Sequence, residues 1–181
     1  MSKVVERVIH QQLHSYFDKH KLYFQGQYGF RKDHNTELAL LELIDRLTKT
    51  IDNGEIPINI YLDLSKAFDT LDHRILLHKL HYYGIRNTAL ALFESYLSHR
   101  YQYVNYNDNI SNELLIKTGV PQGSILGPLL FLIYINDLPK CSNVFELVTY
   151  ADDTTLFTTL KALIDCSDEN VNVNIKMNFV K

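Results

Sequence analysis

Only Ala151, Asp152 and Asp153 stand between two strand-like runs, Phe145 to Tyr150 and Thr154 to Thr159. A link that short leaves the strands little choice but an antiparallel hairpin, and it sets two adjacent carboxylates at the tip. Like charges about 4 Å apart repel by roughly 4 kcal/mol at an effective dielectric of about 20. A third carboxylate has a claim on the same place. In Ile58-Asn59-Ile60-Tyr61-Leu62-Asp63 the apolar residues alternate with the others. That is a strand with one face in the core and Asp63 on the opposite face near its end. If this strand lies beside the hairpin in one sheet, three carboxylates converge, at a cost that cations would relieve. Hard oxygen ligands favour Mg²⁺, which keeps several waters and binds through a few carboxylates plus substrate phosphates. Two such ions, about 3.5–4 Å apart, can activate a 3′-hydroxyl and stabilise a leaving pyrophosphate in an in-line displacement. Asp is also a favoured turn residue. Taken alone, the Asp152-Asp153 pair reads first as a polar turn, and Asp63 as a strand end.

The rest of the chain supplies helices to cover such a sheet. Val4, Val5, Val8, Ile9, Leu13, Tyr16 and Phe17 recur at spacings of three and four, the period of an amphipathic helix, broken by Gln25-Gly26. A second helix is predicted over Thr36 to Ile51, with Leu38, Leu41, Ile44 and Leu47 on one face and Asn53-Gly54 closing it. Further helices are predicted at Asp72 to Tyr83, stopped by Gly84, and at Thr88 to Leu97 behind Asn87 as N-cap. Tyr101 to Tyr106 and Glu113 to Thr118 read as a hairpin around Asn107-Asp108-Asn109. Pro128 suits the first turn of a helix running to Asp137. Val171, Ile175 and Phe179 predict the start of one more helix, although Val171, Val173, Ile175 and Met177 also alternate. The fold class is therefore α+β, an antiparallel sheet covered by helices.

Composition narrows the function classes. With 46% hydrophobic residues over 181 positions, the chain is neither disordered nor fibrous. The net charge of -3 lacks the basic excess usual in nucleic-acid binders, and the acidic surplus falls after about residue 120. Phosphate-binding surface must then come from local patches. Cys141 and Cys166 form no CxxC motif, which suits a reducing intracellular compartment, cytoplasmic or nuclear. The apolar run Ile125 to Ile135, interrupted by Gly127 and Pro128, is too short to span a bilayer, so no membrane role is expected.

Five segments carry a resemblance. Tyr150-Ala151-Asp152-Asp153 resembles the catalytic hairpin (YADD) of reverse transcriptases, and Tyr61-Leu62-Asp63-Leu64-Ser65-Lys66-Ala67-Phe68-Asp69 resembles their first aspartate motif. Gly119-Val120-Pro121-Gln122-Gly123-Ser124 with Leu126-Gly127-Pro128 is similar to the loop and helix between the two. Gln27-Tyr28-Gly29-Phe30-Arg31 resembles the fingers motif of the non-LTR (LINE-like) retrotransposon branch, and Tyr134-Ile135-Asn136-Asp137-Leu138 is similar to a stretch common in the same branch. The order and spacing of these boxes cover nearly the whole chain.

The resemblance implies an RNA-directed DNA polymerase with a palm fold, in which Asp63, Asp152 and Asp153 and the carbonyl of Leu64 bind two Mg²⁺ (or Mn²⁺) ions. It implies that Phe68 excludes a ribonucleotide 2′-hydroxyl, and that Gln122 and Gly123 lie close to the nucleotide. Arg31 and Lys32 are candidates for phosphate contacts, or else a solvated charged surface. The expected partners are an RNA template, a DNA primer and deoxynucleoside triphosphates. Asp69, Asp72, His73, His78 and His81 match no zinc spacing and are expected to be structural. The apolar helix residues Leu129, Leu130 and Ile133 are expected in the core. Tyr101, Tyr103 and Tyr106 could stack on bases, but a hairpin packing its own aromatics is the commoner case. Residues to about 55 would belong to the fingers, and from about 56 to a palm truncated at its C-terminal side. The family's upstream Arg-Pro-Ile segment, primer grip and thumb have no counterpart here, so the chain alone is expected to be inactive. The alternatives are an inactive retroelement remnant that at most binds nucleic acid, and a mobile-intron reverse transcriptase with a maturase domain.

Overall fold

A computed structural model of the chain describes residues 3–107 and 109–168. The chain forms two compact units, each assembled from two stretches of sequence: Met1–Leu22 with Lys66–Tyr134, and Tyr23–Ser65 with Ile135–Lys181. This interleaving crosses the division near residue 55 that the motifs suggest. Both units mix helix with antiparallel sheet, the α+β class expected.

The first unit holds helices α1 (Lys3–Lys19), α3 (His73–Tyr82), α4 (Asn87–Leu97) and α5 (Leu126–Ile135). On α1 the apolar stripe is only half used. Leu13 and Phe17 are buried, whereas Val4 is 73% exposed and Val5 and Val8 are also exposed. Glu6 is buried instead, because its carboxylate accepts the Ile125 N–H at 2.8 Å. Helix α3 starts as predicted, with the Asp72 side chain accepting from the Arg74 and Ile75 N–H groups, and its Leu76 and Leu80 are fully buried. Asn87 does not cap α4. It is the helix's first residue, at φ 53, behind Arg86, whose side chain makes no capping bond. Helix α5 is apolar on every side, and Leu129, Leu130 and Ile133 are in the core as expected. The Ser124 hydroxyl accepts the Gly127 N–H at 3.0 Å, and Pro128 sits in the first turn.

The hairpin of this unit is broken into two short ladders, β2 (Tyr101–Gln102) with β5 (Leu114–Leu115) and β3 (Asn105–Tyr106) with β4 (Asn109–Ile110). Its aromatics do not pack as the sequence suggests: Tyr101, Tyr103 and Tyr106 are all exposed, Tyr106 to 73%. Two-residue ladders offer no continuous face on which to bury rings.

The loop before α5 is fastened to the turn before α3. Val120 N–H donates to Phe68 O, Gly119 N–H to Leu71 O, and the His73 ring bonds Gly119 O at 2.7 Å. Gly119 has φ +84, and a Cβ there would lie 2.8 Å from the Asp69 backbone. Gly119→Ala is therefore expected to cost at least about 1–3 kcal/mol from backbone strain alone. A thermal melt indistinguishable from that of the unaltered protein would show that the loop can yield.

The second unit contains α2 (Thr36–Asp52), a sheet of β1 (Pro57–Leu62), β6 (Glu146–Tyr150) and β7 (Asp153–Thr159), and α6 (Leu160–Asp168). The strand order is β1-β7-β6, all antiparallel. Phe145, Leu147 and Leu156 form its core, with Ile60 and Leu62 of β1 and Leu163 of α6 packed against them. A 3₁₀ turn at Leu138–Cys141 adds Leu138 to that cluster. Helix α2 ends at Asn53 as predicted, but its apolar face is largely exposed, Leu41 to 61%. Arg46 ties α2 to β6 through Glu146 at 2.6 Å. The helix expected from Val171 lies outside the described residues. Among the described residues, no helix is long and apolar enough to cross a membrane.

Candidate active site

The carboxylates belong to one sheet of the second unit. Leu62 of β1 pairs with Thr154 of β7, and Tyr150 of β6 with Asp153. Carried one step beyond Leu62, the same register would bring Asp63 level with Asp153. Side chains alternate along strands, so Asp63 and Asp153 leave the face opposite to Ile60 and Leu156, and Asp152 stands in the turn beside them. Asp63 and Asp153 are exposed and Asp152 is half-buried. Leu64 follows directly, its carbonyl on the same stretch of backbone. Carboxylates with one main-chain carbonyl are the hard-oxygen set that Mg²⁺ takes, and their backbones meet at one end of the sheet, so the residues fit the ion. The side chains are not drawn in: among the described residues, no three carboxylate, imidazole or thiol groups form a ready-made metal cluster.

The turn that carries Asp152 is tight and backed by the chain. Ala151 lies at φ 56 while Asp152 does not enter the positive region, the pattern of a two-residue turn that prefers glycine at its first position. Behind it runs the segment around Gly29, where a Cβ would fall 2.1 Å from the Ala151 nitrogen. That contact explains the glycine of the Gln-Tyr-Gly-Phe run better than any loop requirement. Burial, and after it the Glu42 carboxylate, raises the Tyr28 phenol above its ordinary pKa. At neutral pH Tyr28 therefore contributes a dipole and no charge.

Arg31 is not a free phosphate ligand. Its Nη1 donates to Phe24 O at 3.0 Å and Gln27 O at 3.2 Å, and its guanidinium sits over the Tyr23 ring. The cation is engaged by main-chain carbonyls of its own loop, and Arg31 braces that loop. Lys32 is exposed. Gln27 is a residue that sequence reasoning passed over: it is 4% exposed and bonded to Ala151. A buried glutamine in a loop gives no periodic signal, and only its place four residues ahead of Arg31 in the motif marked it.

In the first unit, Phe68 is half-buried with its ring 4.5 Å from that of Phe131. Gln122 is exposed and donates to Asp69 at 3.3 Å. Gln122 and Asp69 line a cleft of about 730 Å³ that also presents Lys66, Arg100 and Lys117. Nothing lies within 4 Å of a Cβ built on Gly123, whose φ of +75 is the reason for glycine there. Asp72 and His73 have the structural roles given above.

Residues 1–178 match the reverse transcriptase (RNA-dependent DNA polymerase) family. The RNA-directed DNA polymerase from mobile element jockey of Drosophila melanogaster is 32% identical over 91% of this chain. The probable RNA-directed DNA polymerase from transposon BS of the same organism is 34% identical over 86% of it. The chain spans about a fifth of the length of these relatives, 19% and 18%. Among solved structures, the apo telomerase of Candida tropicalis superposes with a TM-score of 0.64 at 12% identity, covering 93% of this chain and 33% of the telomerase, which shows a shared fold. The chain belongs to the reverse transcriptase family, and within it to the non-LTR, LINE-like retrotransposon branch.

Proposed function

We propose that this chain is the catalytic core of an RNA-directed DNA polymerase, with Asp63, Asp152 and Asp153 as the metal-binding carboxylates and the carbonyl of Leu64 as a further ligand. The observation that carries this reading is the β1–β7 register, which brings Asp63 level with Asp153 at the hairpin tip. Reverse transcriptases depend on a divalent metal, and Mg²⁺, or Mn²⁺ in its place, suits this donor set. Two such ions, when bound, lower the pKa of the primer 3′-hydroxyl and neutralise the leaving pyrophosphate. The chain's own residues do the rest. Asp63 directly follows a strand whose register the hydrophobic core fixes, so its place at the sheet's end is set one residue from that strand. Phe68, braced on Phe131, would take the deoxyribose against its remaining face. Gln122, beside Lys66, Arg100 and Lys117, sits where cations would draw template or nucleotide phosphates. Lys32 offers a further phosphate contact. RNA template, DNA primer and deoxynucleoside triphosphates are the substrates this arrangement suits, and the segments to about residue 55 and beyond it would be fingers and palm.

The test is a titration of Mn²⁺ into the protein, followed by electron paramagnetic resonance. Two bound ions are expected, with affinity falling at least about tenfold in Asp63→Asn. Retention of full affinity in that variant would remove Asp63 from the site.

A further inference from the structure

Gln27 lies in the second unit on a segment that runs parallel to β6. Its backbone forms a bridge with Thr149, flanked by Tyr28 N–H donating to Thr149 O and Thr149 N–H donating to Gly26 O, each at 2.8 Å. The side chain then reaches past β6 into the hairpin turn. Its Nε2 donates to Ala151 O at 3.1 Å, and its Oε1 accepts from Ala151 N–H at 3.0 Å and from Gly29 N–H at 2.7 Å.

The chemistry of this contact is specific. Ala151 is buried, so its N–H and C=O would both be left without partners in a two-residue turn that keeps neither bond within the hairpin. A primary amide is the side-chain group that presents one acceptor and one donor side by side, as the N–H and C=O of a single residue in a neighbouring strand would. Ala151 is also held at φ 56, a conformation alanine adopts only when its surroundings impose it. Asp152 and Asp153 follow at once, so the orientation of the Ala151 peptide sets where both carboxylates start. Arg31 in turn braces the Gln27 carbonyl.

We infer that Gln27 is a positioning residue for the metal-binding carboxylates: its amide locks the Ala151 turn and thereby fixes the directions of Asp152 and Asp153. This rests on the metal-binding reading above, and the test separates the two. Gln27→Leu keeps bulk and removes all three side-chain bonds, the two to Ala151 and the one to Gly29. Two quantities are measured on the 181-residue protein: amide hydrogen exchange at Ala151, with Leu147 and Leu156 as references, and Mn²⁺ affinity, with Asp152→Asn as control. The expected result is exchange at Ala151 at least about tenfold faster with the reference amides unchanged, together with Mn²⁺ binding weakened at least about fivefold. Faster exchange with unaltered Mn²⁺ affinity would overturn the inference, leaving Gln27 a purely structural contact, and unaltered exchange would overturn it too. Mn²⁺ binding that Asp152→Asn does not weaken would instead sink the metal-binding reading itself. If Gln27→Leu does not fold, Gln27→Asn carries the same comparison, since it keeps the amide but falls one methylene short of both Ala151 groups.

Discussion

Replacing Asp152 by alanine is expected to abolish primer extension while leaving binding of a primer–template nearly intact. The carboxylate stands at the tip of the β6–β7 hairpin, half-buried, one residue from Asp153 and at the end of the sheet where β1 delivers Asp63. Its removal takes a full charge from a site whose proposed work is to gather cations around a reacting phosphate. Losing several kcal/mol of transition-state stabilisation, at about 1.4 kcal/mol per tenfold, corresponds to a fall of roughly a thousandfold or more in rate. Primer–template affinity rests on phosphate contacts by cations elsewhere and on salt concentration, so it should change little or even rise slightly. The assay is extension of a DNA primer on an RNA template with Mg²⁺, run on the longest reading frame that carries this chain, beside a fluorescence-anisotropy measurement of binding at fixed salt. Simultaneous loss of extension and binding would assign Asp152 a structural role. Extension that persists at more than a few per cent would remove it from the metal site. An inactive unaltered protein would instead favour the retroelement remnant.

How much of this was legible beforehand depended on whether a feature was periodic and local. The limits of α2 and the position of the β6–β7 hairpin follow from hydrophobic spacing and turn chemistry within a dozen residues. So does the Asp72 cap of α3. The level approach of Asp63 to Asp153 needed only alternation plus one pairing. What the pattern could not reveal is which apolar stripes find a partner. Val4, Val5 and Val8 on α1, and Leu41 and Ile44 on α2, have helical periodicity and yet are exposed, because burial is a property of two surfaces and sequence shows one. The same blindness hid Glu6, buried only because Ile125, far along the chain, supplies a donor. Arg31 and Gln27 illustrate the limit within the site. Arg31 reads as a loop cation open to a phosphate and Gln27 drew no attention, yet both bond main-chain groups of the protein. At Asn87, side-chain preference for capping lost to a backbone that enters the helix one residue early.

The second large effect is expected at Phe68, through the choice of sugar. The backbone under it is fixed: Asp69 and Thr70 N–H groups both donate to Lys66 O, Val120 N–H donates to Phe68 O, and Gly119 lets the two segments touch. Truncation of the side chain should therefore leave the loop in place. The ring itself is half-buried on Phe131, which makes it a firm wall, since displacing it would forfeit the aromatic contact. If that wall meets the deoxyribose, a 2′-hydroxyl is rejected by bulk alone. Discrimination by one small group is worth roughly 1–3 kcal/mol, or about 10–200-fold. Phe68→Val should recover part of that range, and Phe68→Ala most of it, as a rise in ribonucleotide relative to deoxyribonucleotide incorporation. The accompanying stability loss should stay below the roughly 3–5 kcal/mol of a fully buried Phe→Ala change, because the ring is only partly buried. The measurement is kcat/KM for a ribonucleotide and the matching deoxyribonucleotide, with a thermal melt on each variant. A destabilised variant whose ratio does not move would make Phe68 a core residue and nothing more. A moved ratio at near-normal deoxyribonucleotide turnover would place the sugar against Phe68, because loss of packing weakens both substrates together and cannot by itself favour the larger one.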